Sequence, residues 1–164
     1  MAKEDNADLL LFLRPFSPNI QDLALWLRDF VWDLYPESNE LIYDNYNALA
    51  FGWSPSGKMG DTFCSVAVFN NEYVHFGFYW GSKIADPKKR LLGNGSQYRY
   101  LKIKEKTDLP QAYIKKLMAD AYMFSIAKAK DMAKAPKGTT TTRSVVPVKK
   151  RPGVVLSKRK QKKP

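Results

Sequence analysis

The first long apolar pattern in the chain has the period of an α-helix. From Ile20 to Leu34, apolar side chains recur every three or four positions, which is the stripe that an amphipathic helix buries. Ser17 and Pro18 stand before the stripe as a cap residue and a first-turn proline, and Pro36 follows it. We therefore expect a helix that begins at Pro18 and ends before Pro36.

Further along the chain the period changes to two, which is typical of antiparallel strands. Over 48–53, large apolar side chains alternate with small ones, and the alternation returns in 63–69 and in 74–80. The pair Asn70-Asn71 predicts a hairpin turn, because asparagine tolerates positive φ. A last strand is expected from Tyr98 to about Ile103.

A second amphipathic stripe follows the strands, over 114–124. Asp108 and Gln111 have the spacing of a capping box, which predicts the start of this helix. The order helix, strands, helix indicates an α+β domain over residues 1–133, with two layers and an antiparallel meander sheet of about five strands.

Charge divides the chain into two parts. Residues 1–132 hold 16 Lys and Arg and 16 Asp and Glu, so the net charge of +11 belongs to the segment that follows. That segment holds four consecutive threonines, several prolines and two basic clusters, and it has too few apolar residues to build a core. We therefore expect residues 134–164 to form a disordered basic tail.

Other features of the composition exclude several classes of protein. A single cysteine, Cys64, excludes an internal disulfide and a multi-cysteine zinc site. The apolar run Leu9–Leu13 is too short for a membrane span and lacks the basic leader of a signal peptide. We expect a cytoplasmic protein with no membrane partner. His75 and Cys64 lie on different predicted strands with nothing to pair them, so we expect no enzyme.

Many short matches in the right order resemble one known family. The residues that carry the resemblance are Pro36, Glu37, Glu40, Ile42, Tyr43, Asp44, Ala48, Phe51, Gly77, Phe78, Gly81, Asp86, Pro87, Leu91, Leu92, Gly93, Gly95 and Arg99. They span about Phe12 to Tyr122 and resemble the YdhG-like domain family of unknown function. The resemblance implies a small domain of frataxin-like architecture and no established reaction. Ser96 and Tyr100 depart from the family pattern, which has lysine and histidine there.

The resemblance also implies an alternative role, because some members of the family are described as iron chaperones. Iron binding requires clustered oxygen ligands. Asp22, Asp29 and Asp33 fall on one face of the first predicted helix, which is also where an amphipathic helix keeps its solvated charges. We predict no cofactor, with iron as the alternative.

The connection between the last two predicted strands is the main candidate binding site. Residues 83–106 hold eight Lys and Arg against two acidic residues, and the glycines allow backbone N–H groups to converge on an anion. Arg99 would add a bidentate contact to phosphate or carboxylate. The candidate ligand-binding residues are Tyr43, Asp44, Gly81, Asp86, Gly93, Gly95, Arg99 and Lys102. The partner is then a small anion or an acidic protein. The alternative is that these residues only shape a turn.

The basic tail suggests a second function, which is weak and sequence-independent association with nucleic acid. It has no aromatic residue to stack on bases. The candidate residues are Lys149, Lys150, Arg151, Lys158, Arg159, Lys160, Lys162 and Lys163. The same residues would also serve as a targeting signal or a solubilising extension.

Overall fold

The computed structural model describes residues 6–153 and has the expected α+β class. The helices are α1 (Ala7–Leu13), α2 (Pro18–Leu34) and α3 (Gln111–Lys128). The strands are β1 (Asn39–Asp44), β2 (Leu49–Ser54), β3 (Cys64–Val68), β4 (Val74–Phe78), β5 (Arg99–Ile103) and β6 (Thr140–Val145). They form one sheet in the order β5-β4-β3-β2-β1-β6.

The first five strands form the predicted antiparallel meander, in which each strand pairs with the next along the chain. β6 adds a sixth strand, and it pairs with β1 in parallel. The register of this pair shifts between Ile42 and Tyr43. The sheet is therefore mixed, and its β1 edge is covered by a strand from the C-terminal part of the chain.

The expectation of a disordered tail from residue 134 is wrong for 140–145. The tail has too few apolar residues for a core of its own, but β6 pairs with the edge strand β1, and none of its residues is fully buried. The threonines of β6 favour extended backbone, and Thr140 donates a hydrogen bond to the buried carboxylate of Glu40 (2.9 Å). Residues 154–164 lie outside the described part of the chain.

α2 begins and ends at the predicted positions, and Ser17 accepts a hydrogen bond from the backbone N–H of Ile20 (3.4 Å). α1 was not predicted, because the run Leu9–Leu13 is apolar at consecutive positions and shows no periodicity. The predicted capping box is wrong. Asp108 instead accepts from the backbone N–H groups of Lys104 (2.9 Å) and Glu105 (3.1 Å), so it closes a short turn before α3.

The hairpin turn at Asn70 is confirmed, although its mechanism differs from the one expected. The Asn70 side-chain oxygen accepts from the backbone N–H groups of Glu72 (2.8 Å) and Tyr73 (3.0 Å). Neither asparagine of the pair has positive φ. The side chain, rather than a left-handed backbone, therefore makes the turn.

The sheet has one face covered by the helices. A row of buried side chains crosses five strands on this face: Ile42, Phe51, Val66, Phe76 and Leu101. Arg28 of α2 reaches the same face and pairs with Glu40 through two hydrogen bonds of 2.8 and 2.9 Å. Both side chains of this pair are fully buried. The opposite face carries no helix and is called the open face below.

Candidate functional site

The middle of the open face is lined by small side chains. Two neighbouring rows run across the strands there, and their members face each other in register. From β5 to β6 the first row is Lys102, His75, Ala67, Ala50, Tyr43 and Ser144, and the second is Tyr100, Gly77, Ser65, Gly52, Leu41 and Thr141. The two central strands, β2 and β3, therefore present only glycine, alanine and serine in these rows, and larger side chains stand on both sides.

This arrangement creates a shallow cavity of about 210 Å³, which we call the trough. Its lining consists of Tyr43, Asn45, Ala50, Gly52, Met59, Thr62, Ser65 and Tyr79. The small residues of β2 and β3 form the floor, and the two tyrosines and the methionine form walls. Ala50 and Ser65 are half-buried at this floor, whereas Gly52 is buried, because a Cβ atom there would lie 2.9 Å from the Thr62 methyl group.

The wall at the β1 end is built by the segment 55–62. β6 holds this segment in place, because Arg143 donates a hydrogen bond to the carbonyl oxygen of Gly57 (2.6 Å). Asp61, the one carboxylate of this segment, is buried and takes part in internal hydrogen bonds. It accepts from the hydroxyl of Ser56 (2.5 Å) and from the ammonium group of Lys128 (3.2 Å).

On the β5 side, a tyrosine lies across the floor. A Cβ atom on Gly77 would be 2.1 Å from the Tyr98 hydroxyl oxygen, so only glycine lets this ring pass over β4. The Tyr98 hydroxyl then forms a hydrogen bond with Ser65 at the edge of the trough. Burial raises the pKa of Tyr98 to about 12, which keeps the phenol protonated at neutral pH.

Tyr98 is the first of four aromatic rings that stack in a row. Tyr98 and Tyr100 have ring centroids 5.8 Å apart, and His75 stacks on Tyr100 at 4.0 Å with planes 20° apart. Tyr73 continues the row at 5.6 Å from His75, and the ammonium group of Lys102 lies 4.5 Å from the Tyr73 ring centroid. We call this row the aromatic ridge.

The electrostatics of the open face favour anions. Neither of the two rows contains an acidic residue, whereas Lys102 lies at one end and Arg143 at the other. Burial raises the pKa of Tyr43, and the nearby guanidinium of Arg143 partly opposes this shift. Tyr43 therefore offers a neutral phenol beside a fixed positive charge.

The predicted anion loop is arranged differently from the expectation. The carboxylate of Asp86 accepts from the backbone N–H groups of Arg90 (3.0 Å) and Leu91 (2.9 Å) and from the hydroxyl of Tyr113. Burial alone would raise the pKa of Asp86, but these hydrogen bonds lower it below its ordinary value. Asp86 therefore shapes the loop from within.

The other loop residues also have structural contacts. Arg99 donates hydrogen bonds to the carbonyl oxygens of Gly95 (2.6 Å) and Tyr98 (2.8 Å). A Cβ atom on Gly81 would lie 2.5 Å from the Arg99 Cβ, so this glycine permits a close approach of two backbones. Gly93 has a φ of +106°, which glycine adopts readily. These contacts favour the alternative in which the loop residues shape a turn.

The eight candidate ligand-binding residues do not share one pocket. Tyr43 lines the trough on β1, and Lys102 lies at the far end of the same face on β5. Asp44 points to the opposite face from Tyr43 and is 1% exposed. Its carboxylate pairs with Lys149 and with Arg151 (2.7 Å). Tyr43 and Asp44 are adjacent in the sequence, but successive side chains of a strand point to opposite faces, so the sheet separates them.

The same contacts change the expectation for the basic tail. Lys149 and Arg151 are held by the buried carboxylate of Asp44, so they are not part of a flexible polycation. Lys150 remains exposed. The other candidate cations, Lys158, Arg159, Lys160, Lys162 and Lys163, lie outside the described residues.

The described part of the chain shows no cluster of metal ligands that would support the iron alternative. Asp22 pairs with Lys106 (3.1 Å) on the surface of α2. Within residues 6–153, no group of three or more His, Cys, Asp or Glu side chains is arranged to hold a metal ion. Asp29 and Asp33 line a shallow cavity with Trp26 instead.

Sequence reasoning missed most of the trough, although one signal pointed to it. The small residues at 48, 50 and 52 alternate with large ones, and a strand that is merely solvated on one face usually carries longer polar side chains there. Ser65 and Ala67 repeat the pattern on the next strand. Arg143 had no such signal, because it lies in the segment expected to be disordered.

These features define an α+β domain with a mixed sheet and a cavity on its helix-free face. Comparisons with family models, with curated proteins and with solved structures find no match for this chain. The resemblance to YdhG-like domains stays a prediction. Among residues 6–153, no helix combines the length and the apolar character needed to cross a bilayer.

Proposed function

We propose that this protein binds a small planar anion in the trough on the open face of its sheet. The observation that carries the proposal is the floor of glycine, alanine and serine between tyrosine walls. The short side chains of Ala50 and Ser65 leave room for a flat ring close to the sheet, and the rings of Tyr43 and Tyr79 supply aromatic contacts.

The size and charge of the trough narrow the class of ligand. Its volume of about 210 Å³ is below the roughly 300–1,000 Å³ typical of sites for drug-sized ligands, which favours a molecule with one or two rings. Arg143 supplies positive charge beside Tyr43, Lys102 lies farther away at the β5 end of the same face, and the rows between them contain no carboxylate. An aromatic carboxylate therefore fits better than a neutral or cationic ring.

This proposal keeps the anionic ligand that the basic loop suggested and moves it to the neighbouring face of the sheet. Tyr43 remains in the candidate site, Lys102 lies outside it on the same face, and Arg143 takes the role first given to Arg99. We propose that the trough binds the anion and catalyses no reaction on it. Binding of an acidic protein at the loop, binding of iron, and a cytoplasmic location remain predictions.

Isothermal titration calorimetry of the full chain tests the proposal with four probes: benzoate, naphthoate, cyclohexanecarboxylate and benzamide. We expect the two aromatic carboxylates to bind. Cyclohexanecarboxylate lacks the flat ring and benzamide lacks the charge, so each should bind about tenfold more weakly or worse.

Two substitutions locate the site. Ala50→Leu fills the floor and Arg143→Gln removes a charge, and both should weaken the binding of naphthoate. Ala119→Leu and Lys116→Gln make the same chemical changes on exposed positions of α3 and should leave it unchanged. A chain that binds none of the four probes, or an Ala50→Leu variant that binds as the wild type does, contradicts the proposal.

A further inference from the structure

A second surface, separate from the trough, carries an unusual group of exposed apolar side chains. Within the described residues, nine large hydrophobic side chains are exposed, and five of them belong to α1, the β1–β2 turn, the end of β6 and the segment that follows it. They are Leu10, Leu11, Tyr46, Val145 and Val148. We call this surface the α1 patch. Each of the five is between 40% and 53% exposed, so they stand out from the surface.

The members of the α1 patch lie close together because the C-terminal segment crosses α1. Leu11 and Val145 line one groove of about 440 Å³ together with Pro147, Lys149 and Arg151. The backbone N–H of Lys150 donates to the carbonyl oxygen of Tyr46 (2.8 Å), which brings the tyrosine to the same place. Contiguous apolar surface of this kind commonly marks an interaction site.

The helix α1 carries apolar side chains on its outer side as well as on its inner side. Leu9 and Leu13 are fully buried, whereas Leu10 and Leu11 point outward on the same short helix. Apart from Asp8, the exposed residues of this helix are apolar, whereas the exposed side of a surface helix usually carries polar side chains. The structure shows what covers the inner side and leaves the outer side apolar.

The charges around the α1 patch select the partner. Arg14 and Lys150 are exposed in the segments that border it, against the exposed carboxylate of Asp8. Lys149 and the buried Arg151 share the carboxylate of Asp44, so that group carries a net charge of +1. Five more cations follow in the sequence between 158 and 163.

We propose that the α1 patch docks on a lipid bilayer with anionic headgroups. Leucine and valine side chains would enter the boundary of the acyl region, a tyrosine is suited to the headgroup level, and the cations would meet the anionic headgroups. One weak signal gives only marginal membrane affinity, and two together give stable attachment. A second copy of this chain is disfavoured as the partner, because it would place cations opposite cations.

This inference differs from the expectation that the protein has no membrane partner. That expectation rested on the lack of an apolar segment long enough to span a bilayer, and surface docking needs no such segment. The inference is independent of the trough, because no residue of the α1 patch lines it.

Co-sedimentation of the full chain with vesicles tests the inference. We expect binding to vesicles of phosphatidylcholine mixed with phosphatidylglycerol, and little binding to phosphatidylcholine alone. Leu10→Ser with Leu11→Ser removes two exposed apolar side chains and should weaken binding about tenfold or more. Met123→Ser removes an apolar side chain of α3 that is even more exposed, at 64%, and should have no effect.

Three results would overturn the inference. The first is no binding to the anionic vesicles, and the second is equal binding by the double leucine variant, which would leave the basic residues as the whole cause. The third is a wild-type dimer in sedimentation equilibrium that becomes monomeric in the double variant, because the α1 patch would then be covered by a second copy.

Discussion

At the scale of single residues, His75 is the side chain whose surroundings matter most for the pH response. It stacks on Tyr100 and Tyr73 in the aromatic ridge, and it is the only histidine in the chain. Burial and, to a smaller extent, the ammonium group of Lys102 lower the pKa of His75 below 6.5. The folded state therefore favours the neutral imidazole.

The lowered pKa predicts a loss of stability in mild acid. Between the unfolded pKa of 6.5 and the lower folded pKa, the unfolded chain binds more protons than the folded chain, so the free energy of unfolding falls as the pH falls. We expect His75→Phe, which keeps an aromatic ring, to lose less stability than the wild type between about pH 7 and pH 5. Urea unfolding at several pH values measures this difference.

The same shift can be observed directly. Because the chain has one histidine, a proton NMR titration follows this imidazole without overlap from others. A midpoint at or above 6.5 in the folded protein would contradict the explanation, and the acid sensitivity would then have to come from the carboxylates.

At the scale of elements, β6 is the strand that the composition does not predict. β6 is held in place by polar contacts with the neighbouring strand β1. Asn39 accepts from the backbone N–H of Thr139 (3.2 Å), and Glu40 accepts from the hydroxyl of Thr140 (2.9 Å). Asp44 holds the end of the segment through Arg151, which is 2% exposed. The strand is therefore fixed by buried acceptors on β1.

Removing one of these acceptors should be costly. Asp44→Asn leaves the buried guanidinium of Arg151 without its carboxylate, and loss of one partner of a buried ion pair typically lowers the free energy of unfolding by about 3–5 kcal/mol. Glu37→Gln breaks an exposed pair with Lys137 at 3.9 Å and should change it by less than about 1 kcal/mol. Chemical denaturation of both variants provides the comparison.

The two variants also distinguish burial from charge. If Asp44→Asn lowers the free energy of unfolding by no more than Glu37→Gln does, the carboxylate of Asp44 does not hold the C-terminal segment in place.

At the scale of the whole molecule, the two ends of the described chain are packed together. The ammonium group of Lys149 lies 5.3 Å from the ring centroid of Phe12, and the guanidinium of Arg151 lies 5.7 Å from that of Phe16. The hydroxyl of Thr142 reaches the carboxylate of Asp8 at 3.5 Å. The C-terminal segment therefore covers the first helix as well as the edge of the sheet.

A chain that ends at Gly138 should lose this packing. We expect lower stability and faster amide hydrogen exchange in α1 and β1, with a smaller change in β4 and β5, which lie at the other edge of the sheet. A chain that ends at Gly153 keeps β6 and Arg151 and serves as the control, with exchange close to that of the full chain. Equal protection of α1 in both truncated chains would show that the segment does not stabilise it.

The part of the fold that was predicted correctly rests on periodicity. The stripe of α2 and the alternation of β2 to β4 follow from which side chains must avoid water, and this is written locally in the sequence. Such patterns could not reveal α1 or β6. α1 has no periodicity, and β6 takes its order from the edge of β1 and from Glu40, a residue 100 positions away.

The candidate site was predicted less well, for the same reason. Asp86 and Arg99 were expected to face a ligand, but the loop uses them to close its own backbone hydrogen bonds. Gly52 and Ser65 have no chemistry that identifies them as site residues one at a time. They form a floor only when β2 and β3 pair in register.

The sequence by itself therefore determined the α+β class, the meander of the first five strands, and the division of charge between a balanced domain and a basic C-terminal part. Only the tertiary structure decided which side of the sheet stays open, where the small residues of neighbouring strands meet, and that the C-terminal part supplies a strand. The physical reason is that periodicity records whether a side chain is buried. Register and edge pairing depend on groups that are distant in the sequence, such as Asp44 and Arg151.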